Sequence, residues 1–127
     1  MSVLPTNLKY ANSHEWVSVE EDNVVRVGIT DFAQQQLGDL VFVDLPELGR
    51  KVQANEQCAV VESVKTASDL FSPVAGEVVA TNLLLGDEPE QINDAPYSTW
   101  IFCIKADNLS DLDQLMDAEA YQAYIEE

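Results

Sequence analysis

Apolar and polar residues alternate in short bursts along most of this chain, and polar turn residues separate the bursts. His14 to Glu20 alternates with period two, as a half-buried strand does. Glu21, Asp22 and Asn23 make a polar turn, and Val24 to Ile29 returns as a second strand. Asp31 caps a short helix running through Gln36, with Gln34 completing a capping box and Gly38 ending it. Leu40 to Leu45 is rich in β-branched and aromatic residues. Pro46 stops it, and Gly49 permits the next turn. Lys51-Val52, Gln57 to Val61, Ala67 to Phe71 and Gly76 to Thr81 continue the strand series. Residues 86–99, rich in Gly, Pro, Asp and Asn, read as a long surface loop before an apolar strand at Trp100 to Lys105.

The end of the chain differs in period. Ser110 to Asp113 form a capping signature, and Leu112, Leu115, Met116 and Tyr121 keep roughly helical spacing through Ala123. Many short strands followed by a terminal helix predict a mostly β fold, a small sandwich or barrel with helical additions. A length of 127 residues predicts one domain, with a core over about 8–106 and a helical extension over about 109–126.

Composition narrows the function. The chain is 46% apolar, enough for a packed core, and carries a net charge of −17 from 23 acids against 6 basic residues. Such a field repels a phosphate backbone and an anionic membrane surface alike. It favours partners with basic docking surfaces. Eleven of the acids lie from Asp87 onward, where Lys105 is the only cation. Cys58 and Cys103 sit in apolar strand-like runs and read as buried thiols rather than a disulfide or metal pair. The opening Met1 to Pro5 shows no basic region and no apolar signal core, and no run approaches the ~20 apolar residues that span a bilayer. A reducing, cytoplasmic setting is the expectation.

Catalytic chemistry has thin support. His14 is the one histidine, best read as packed at a strand start, and one His with two separated Cys makes no tetrahedral metal site. No calcium-loop or phosphate-loop spacing occurs. Trp16, Phe42, Phe71 and Trp100 read most simply as core. Lys65 stands apart. It falls alone at the tip of the hairpin between Val61 and Phe71, where a single presented amine suits covalent attachment of a prosthetic group. By position alone an ordinary surface lysine is the simpler reading.

The neighbourhood changes that balance. Glu62-Ser63-Val64-Lys65-Thr66-Ala67-Ser68-Asp69, followed by Ser72-Pro73-Val74-Ala75-Gly76, resembles the lipoylation site of the glycine cleavage system H proteins. Lys9-Tyr10 with Ser13 to Val17, Gly28 to Ala33, Leu37 to Pro46, Ile92-Asn93 with Pro96-Tyr97, and Leu115 to Tyr121 resemble other parts of that family, in its order. One departure stands out. Ser98-Thr99 occupies a place where the family usually has a glycine, often with one more residue.

The resemblance implies a lipoyl-domain-like barrel-sandwich hybrid and lipoate held as an amide on Lys65. Acylation removes the ammonium charge, so the arm can enter an apolar cavity without burying a cation. The resemblance further implies three partners. A pyridoxal-phosphate glycine dehydrogenase loads an aminomethyl group, an aminomethyltransferase passes its carbon to tetrahydrofolate, and dihydrolipoamide dehydrogenase reoxidises the dithiol. A lipoate ligase or transferase installs the group. Ser13, Glu15 and Asp69 match the family's arm cleft, and Glu62 and Asp69 flank the lysine where the lipoylating enzyme would read them. The chain would then be a carrier, not an enzyme. Biotin is disfavoured, because Val64 and Thr66, not methionines, flank the lysine. A tethered lipoyl domain would show Asp-Lys-Ala at the tip and a linker, and neither occurs. The remaining alternative is an H-like protein acting mainly as a lipoate donor or binding module.

Overall fold

A computed structural model describes residues 4–126. Met1 to Val3, read above for targeting signals, and Glu127 lie outside them. Two antiparallel sheets make up the body. The larger runs β1 (Lys9–Tyr10), β2 (Glu15–Val19), β3 (Val24–Ile29), β9 (Phe102–Ala106), β8 (Gly76–Thr81), β5 (Lys51–Val52) from edge to edge. The smaller places β6 (Gln57–Ser63) between β4 (Leu40–Asp44) and β7 (Ala67–Phe71). Helix α1 spans Asp31–Leu37, α2 Gln91–Asp94 and α3 Ala118–Ile125.

Register explains the core. Val17 pairs with Val27, Val25 with Ile104, and Val27 with Phe102, so one face of the large sheet is a continuous apolar layer. These residues are buried. Ala59, Val61 and Leu70 oppose them from the small sheet. Each such side chain contributes about 1.5–3 kcal/mol on burial. Period-two alternation sends Trp16, Ser18 and Arg26 to the other face of the large sheet. Trp16 there joins Leu4, Leu8, Tyr10 and Tyr121 in a second, smaller core. A Cβ on Gly28 would come within 2.5 Å of the Trp16 indole, so only glycine lets the ring lie flat on β3. β2 is therefore buried on both faces at its start, not half-buried as its alternation predicts.

Other expectations shift in detail. Thr30, not Asp31, caps α1: its hydroxyl accepts from the Ala33 N–H at 3.2 Å, while Gln34 donates to Asp31 instead of closing a capping box. The stretch 86–99 is not one loop. It contains α2, and Ile92 on that helix is fully buried. Ser110 to Asp113 lie in a 3-10 segment, Leu109–Gln114, and Asp117 caps the terminal helix by accepting from the Ala120 N–H at 2.8 Å. Phe42 is not core: it is 49% exposed on the outer sheet face. No glycine is needed at Ser98-Thr99, because neither residue adopts a left-handed backbone. Thr99 is buried and donates to the Gln91 carbonyl at 3.1 Å.

Candidate functional site

The turn between β6 and β7 holds Lys65 at its apex. Ser63 organises it. The Ser63 N–H donates to the Thr66 carbonyl at 2.7 Å, and its side-chain oxygen accepts from the Lys65 and Thr66 N–H groups at 3.2 and 3.1 Å. A hydroxyl that satisfies the following amides replaces a glycine-type turn. The Val64 N–H donates to the Asp39 carbonyl at 3.1 Å, which ties the tip to the loop after α1. That loop is fixed by Asn93. Its oxygen accepts from the Leu40 N–H at 2.9 Å, and its amide donates to the Gly38 and Gln34 oxygens, each at 2.9 Å.

The tip is thus stiff in its backbone and open in its side chains. Val64, Lys65 and Thr66 are all exposed. The ion pairs among the described residues are Arg50–Glu56 and Lys51–Glu77, so the Lys65 ammonium has no carboxylate partner. Its aliphatic stem lies over Gly38, where an added Cβ would sit 3.4 Å from Lys65 Cε. Gly38 also has φ +83, in the left-handed region that favours glycine.

A cavity of about 290 Å³ reaches Leu37, the neighbour of that glycine. Ser13 and His14 before β2, Phe32, Ala33, Gln36 and Leu37 of α1, and Ser68 and Leu70 of β7 form most of its wall. Glu15 stands behind Ser13. It is 1% exposed, so the expected surface carboxylate is a buried one. One of its oxygens accepts from the Ser13 hydroxyl, and the other accepts from the Phe71 N–H at 3.1 Å. Glu15 therefore joins β2 to the end of β7, linking the two sheets. Burial raises its pKa, and the bonds from Ser13 and Phe71 partly offset that rise.

His14 closes the cavity's other side. Its backbone is left-handed (φ 75), and its Nδ1 lies 2.7 Å from the Tyr121 hydroxyl, which also meets Thr30 Oγ1 at 2.8 Å. Burial lowers the His14 pKa. Tyr121 stacks on Tyr10 at 4.9 Å, so α3 is pinned against the wall of the cavity.

Of the residues that sequence singles out, Lys65 and Ser13 lie on the tip and the cavity wall, and Glu15 orients Ser13. Asp69 does not join them. It pairs with Val60 and points, like Glu62, to the outer face of the small sheet, while Ser68 and Leu70 line the cavity. Alternation along β7 makes this unavoidable, since neighbours point to opposite faces. Sequence reading missed Ser63, Asn93 and Tyr121. A Ser–X–Lys turn signal would have exposed Ser63; the other two act across 53 and 107 residues. Cys58 and Cys103 are buried and free, and burial lifts Cys58 to about 12, so neither offers a reactive thiolate.

Known proteins share this arrangement. Residues 8–127 match the sequence profile of the family described as glycine cleavage H-protein. The glycine cleavage system H protein of Methylococcus capsulatus is 54% identical over 127 residues, covering all of both chains. That of Pectobacterium atrosepticum is 57% identical over 128 residues, covering 100% of this chain and 98% of the relative. The crystal structure of a glycine cleavage system H protein from Mycobacterium marinum superposes with a TM-score of 0.89 at 38% identity, covering 98% of this chain and 100% of that one. This chain belongs to the glycine cleavage H-protein family.

Proposed function

We propose that this chain is the lipoyl-lysine carrier of a glycine cleavage system, with lipoate amide-linked to Lys65. The observation that carries this reading is an exposed amine on a stiff turn, with no carboxylate partner among the described residues, whose stem lies over Gly38 beside the Leu37 wall of an apolar cavity. The residues fit such a group. The amine is accessible to a lipoate ligase or transferase, and the cavity wall of Phe32, Ala33, Leu37 and Leu70 suits a neutral aliphatic arm. When bound, lipoate supplies an exchangeable disulfide on which the aminomethyl fragment of glycine and two electrons are carried.

The chain's own residues have distinct duties in this account. Ser63, Asp39 and Asn93 hold the turn so that the Lys65 side chain leaves the backbone in one direction. The Ser13 hydroxyl donates a hydrogen bond to Glu15, which leaves the hydroxyl oxygen's lone pairs available at the cavity wall. A cationic amine entering there meets an acceptor strengthened by a buried carboxylate. Glu62 and Asp69, side by side on the outer face, present negative charge to the lipoylating enzyme. Successive partners are the pyridoxal-phosphate glycine dehydrogenase, the tetrahydrofolate-dependent aminomethyltransferase and dihydrolipoamide dehydrogenase. The chain itself turns nothing over. The acidic surface favours basic docking faces on those enzymes. A cytoplasmic location accords with its bacterial relatives.

Reconstitution tests this reading. Glycine decarboxylation by the three enzymes is expected to depend on added lipoylated chain, and Lys65→Arg should stay folded and support none. Arginine keeps the charge but cannot form the lipoyl amide. Turnover with Lys65→Arg would reject the carrier role at this residue.

A further inference from the structure

The outer face of the large sheet holds a second cleft of about 350 Å³, separate in its lining from the cavity beside Lys65. Arg26 lines it together with Pro5, Asn7, Ser18, Tyr97 and Ser98, above the buried Leu8 and Trp16. Three observations single out Arg26. It is one of six basic residues in a chain of net charge −17, yet no described carboxylate pairs with it. Its Nε is buried and has no hydrogen-bond partner. Its guanidinium carbon lies 5.6 Å from the centre of the Trp100 ring, which limits how the plane can turn. The Cys103 thiol, its register partner, is the group the guanidinium meets, and a buried Nε–H left over is costly to fold, while a guanidinium held in one plane matches a two-oxygen acceptor.

We propose that this cleft binds a small monocarboxylate with an apolar tail, its oxygens taken by Arg26. The planar fork selects a carboxylate. The single cation and the field of the chain oppose a second negative charge, and Glu20, which holds the Ser18 hydroxyl at 2.6 Å on the neighbouring strand, reinforces that. Pro5 and the Tyr97 ring, both half-buried, offer the tail an apolar surface. Ser98 also lines the cleft and is exposed. Its hydroxyl enters no hydrogen bond among the described residues and is free to donate.

The test is a nuclear magnetic resonance titration of the full-length, unlipoylated protein with benzoate at neutral pH. Benzamide is the uncharged match, and inorganic phosphate, a mixture of singly and doubly charged forms at this pH, is the anion without an apolar tail. Benzoate is expected to shift the Arg26 Nε–H and Trp16 indole N–H signals saturably, with benzamide and phosphate leaving them in place. Arg26→Gln should weaken benzoate by at least about tenfold, as expected for loss of a charge-assisted pair. Should Arg26→Gln fold poorly, Ser98→Leu keeps the cation, narrows the rim and is expected to weaken benzoate as well. Non-saturating or scattered shifts, equal response to benzamide or phosphate, or undiminished binding by the folded variants would overturn the proposal. The readout does not involve Lys65, so its failure leaves the carrier reading untouched.

Discussion

The Lys65 turn and the Tyr121 pin solve opposite problems with the same few interactions. At the turn, backbone groups are tied down and side chains are left free: Ser63 and Asp39 satisfy the amides while Val64, Lys65 and Thr66 stand in solvent. At the pin, the side chain does the work. Tyr121 is fully buried, stacks on Tyr10 and meets both His14 and Thr30 through one hydroxyl. Stability is therefore concentrated away from the residue proposed to carry the prosthetic group. A carrier has to offer its reactive group to several enzymes, and a group that stabilised its own fold could not be offered. The turn spends order on orientation and none on burying the amine.

Mutation can break this contrast from both ends. The largest effect is expected at the pin. Tyr121→Ala removes a buried ring and should cost about 3–5 kcal/mol, seen as a large fall in the urea midpoint. Tyr121→Phe keeps the stacking on Tyr10 but strands His14 and Thr30, and is expected to cost about 1–2 kcal/mol. A Tyr121→Ala protein as stable as wild type would show that α3 is not held this way.

Ser63→Ala probes the turn. It leaves two amides without their acceptor, a local loss of about 1 kcal/mol, so exchange of the Lys65 and Thr66 amides should quicken by roughly fivefold. The urea midpoint should barely move. A large global loss instead would make Ser63 a core residue rather than an organiser of the tip.

The smallest effect concerns Glu15 and pH. Burial raises its folded pKa above the unfolded value, so folding favours the protonated form. Its contribution is full at pH below the ordinary carboxylate range and is lost as pH rises through the folded pKa. Glu15→Gln accepts from Phe71 in the same way and does not titrate. The difference in stability between wild type and Glu15→Gln should therefore move against wild type as pH is raised from about 4 to about 8. A difference that is flat over that interval would mean that the buried carboxylate ionises at no cost.

How much of this was written in the residues is uneven for physical reasons. Strands read well, because a short β-prone run bounded by turn residues is a local signal, and Val24 to Ile29, Ala67 to Phe71 and Gly76 to Thr81 form within the bounds it sets. The place of Lys65 at a hairpin tip read well too, because the turn and the strand-like runs on either side of it are contiguous. Glu15 misled, since a carboxylate at a strand start looks like surface until Phe71 arrives from 56 residues away. Phe42 misled in the other direction. Its sheet has an outer face that nothing in the described chain covers, and no local pattern reports that. The terminal helix began later than its first capping signal, because Asp117 outcompetes Ser110 once the 3-10 segment packs Leu112 inward. Asp69 shows the sharpest limit. Nearness to Lys65 in sequence says nothing about which face of β7 a side chain takes, and one residue of phase separates the cavity from the outer surface.

The most direct measurement is the mass of the natively produced protein, followed by peptide mapping. The account predicts one added lipoyl group, found on the peptide containing Lys65 and on no other. Native protein that stays unmodified in cells able to lipoylate, or a lipoyl group mapped to Lys9, Lys51 or Lys105, would contradict it.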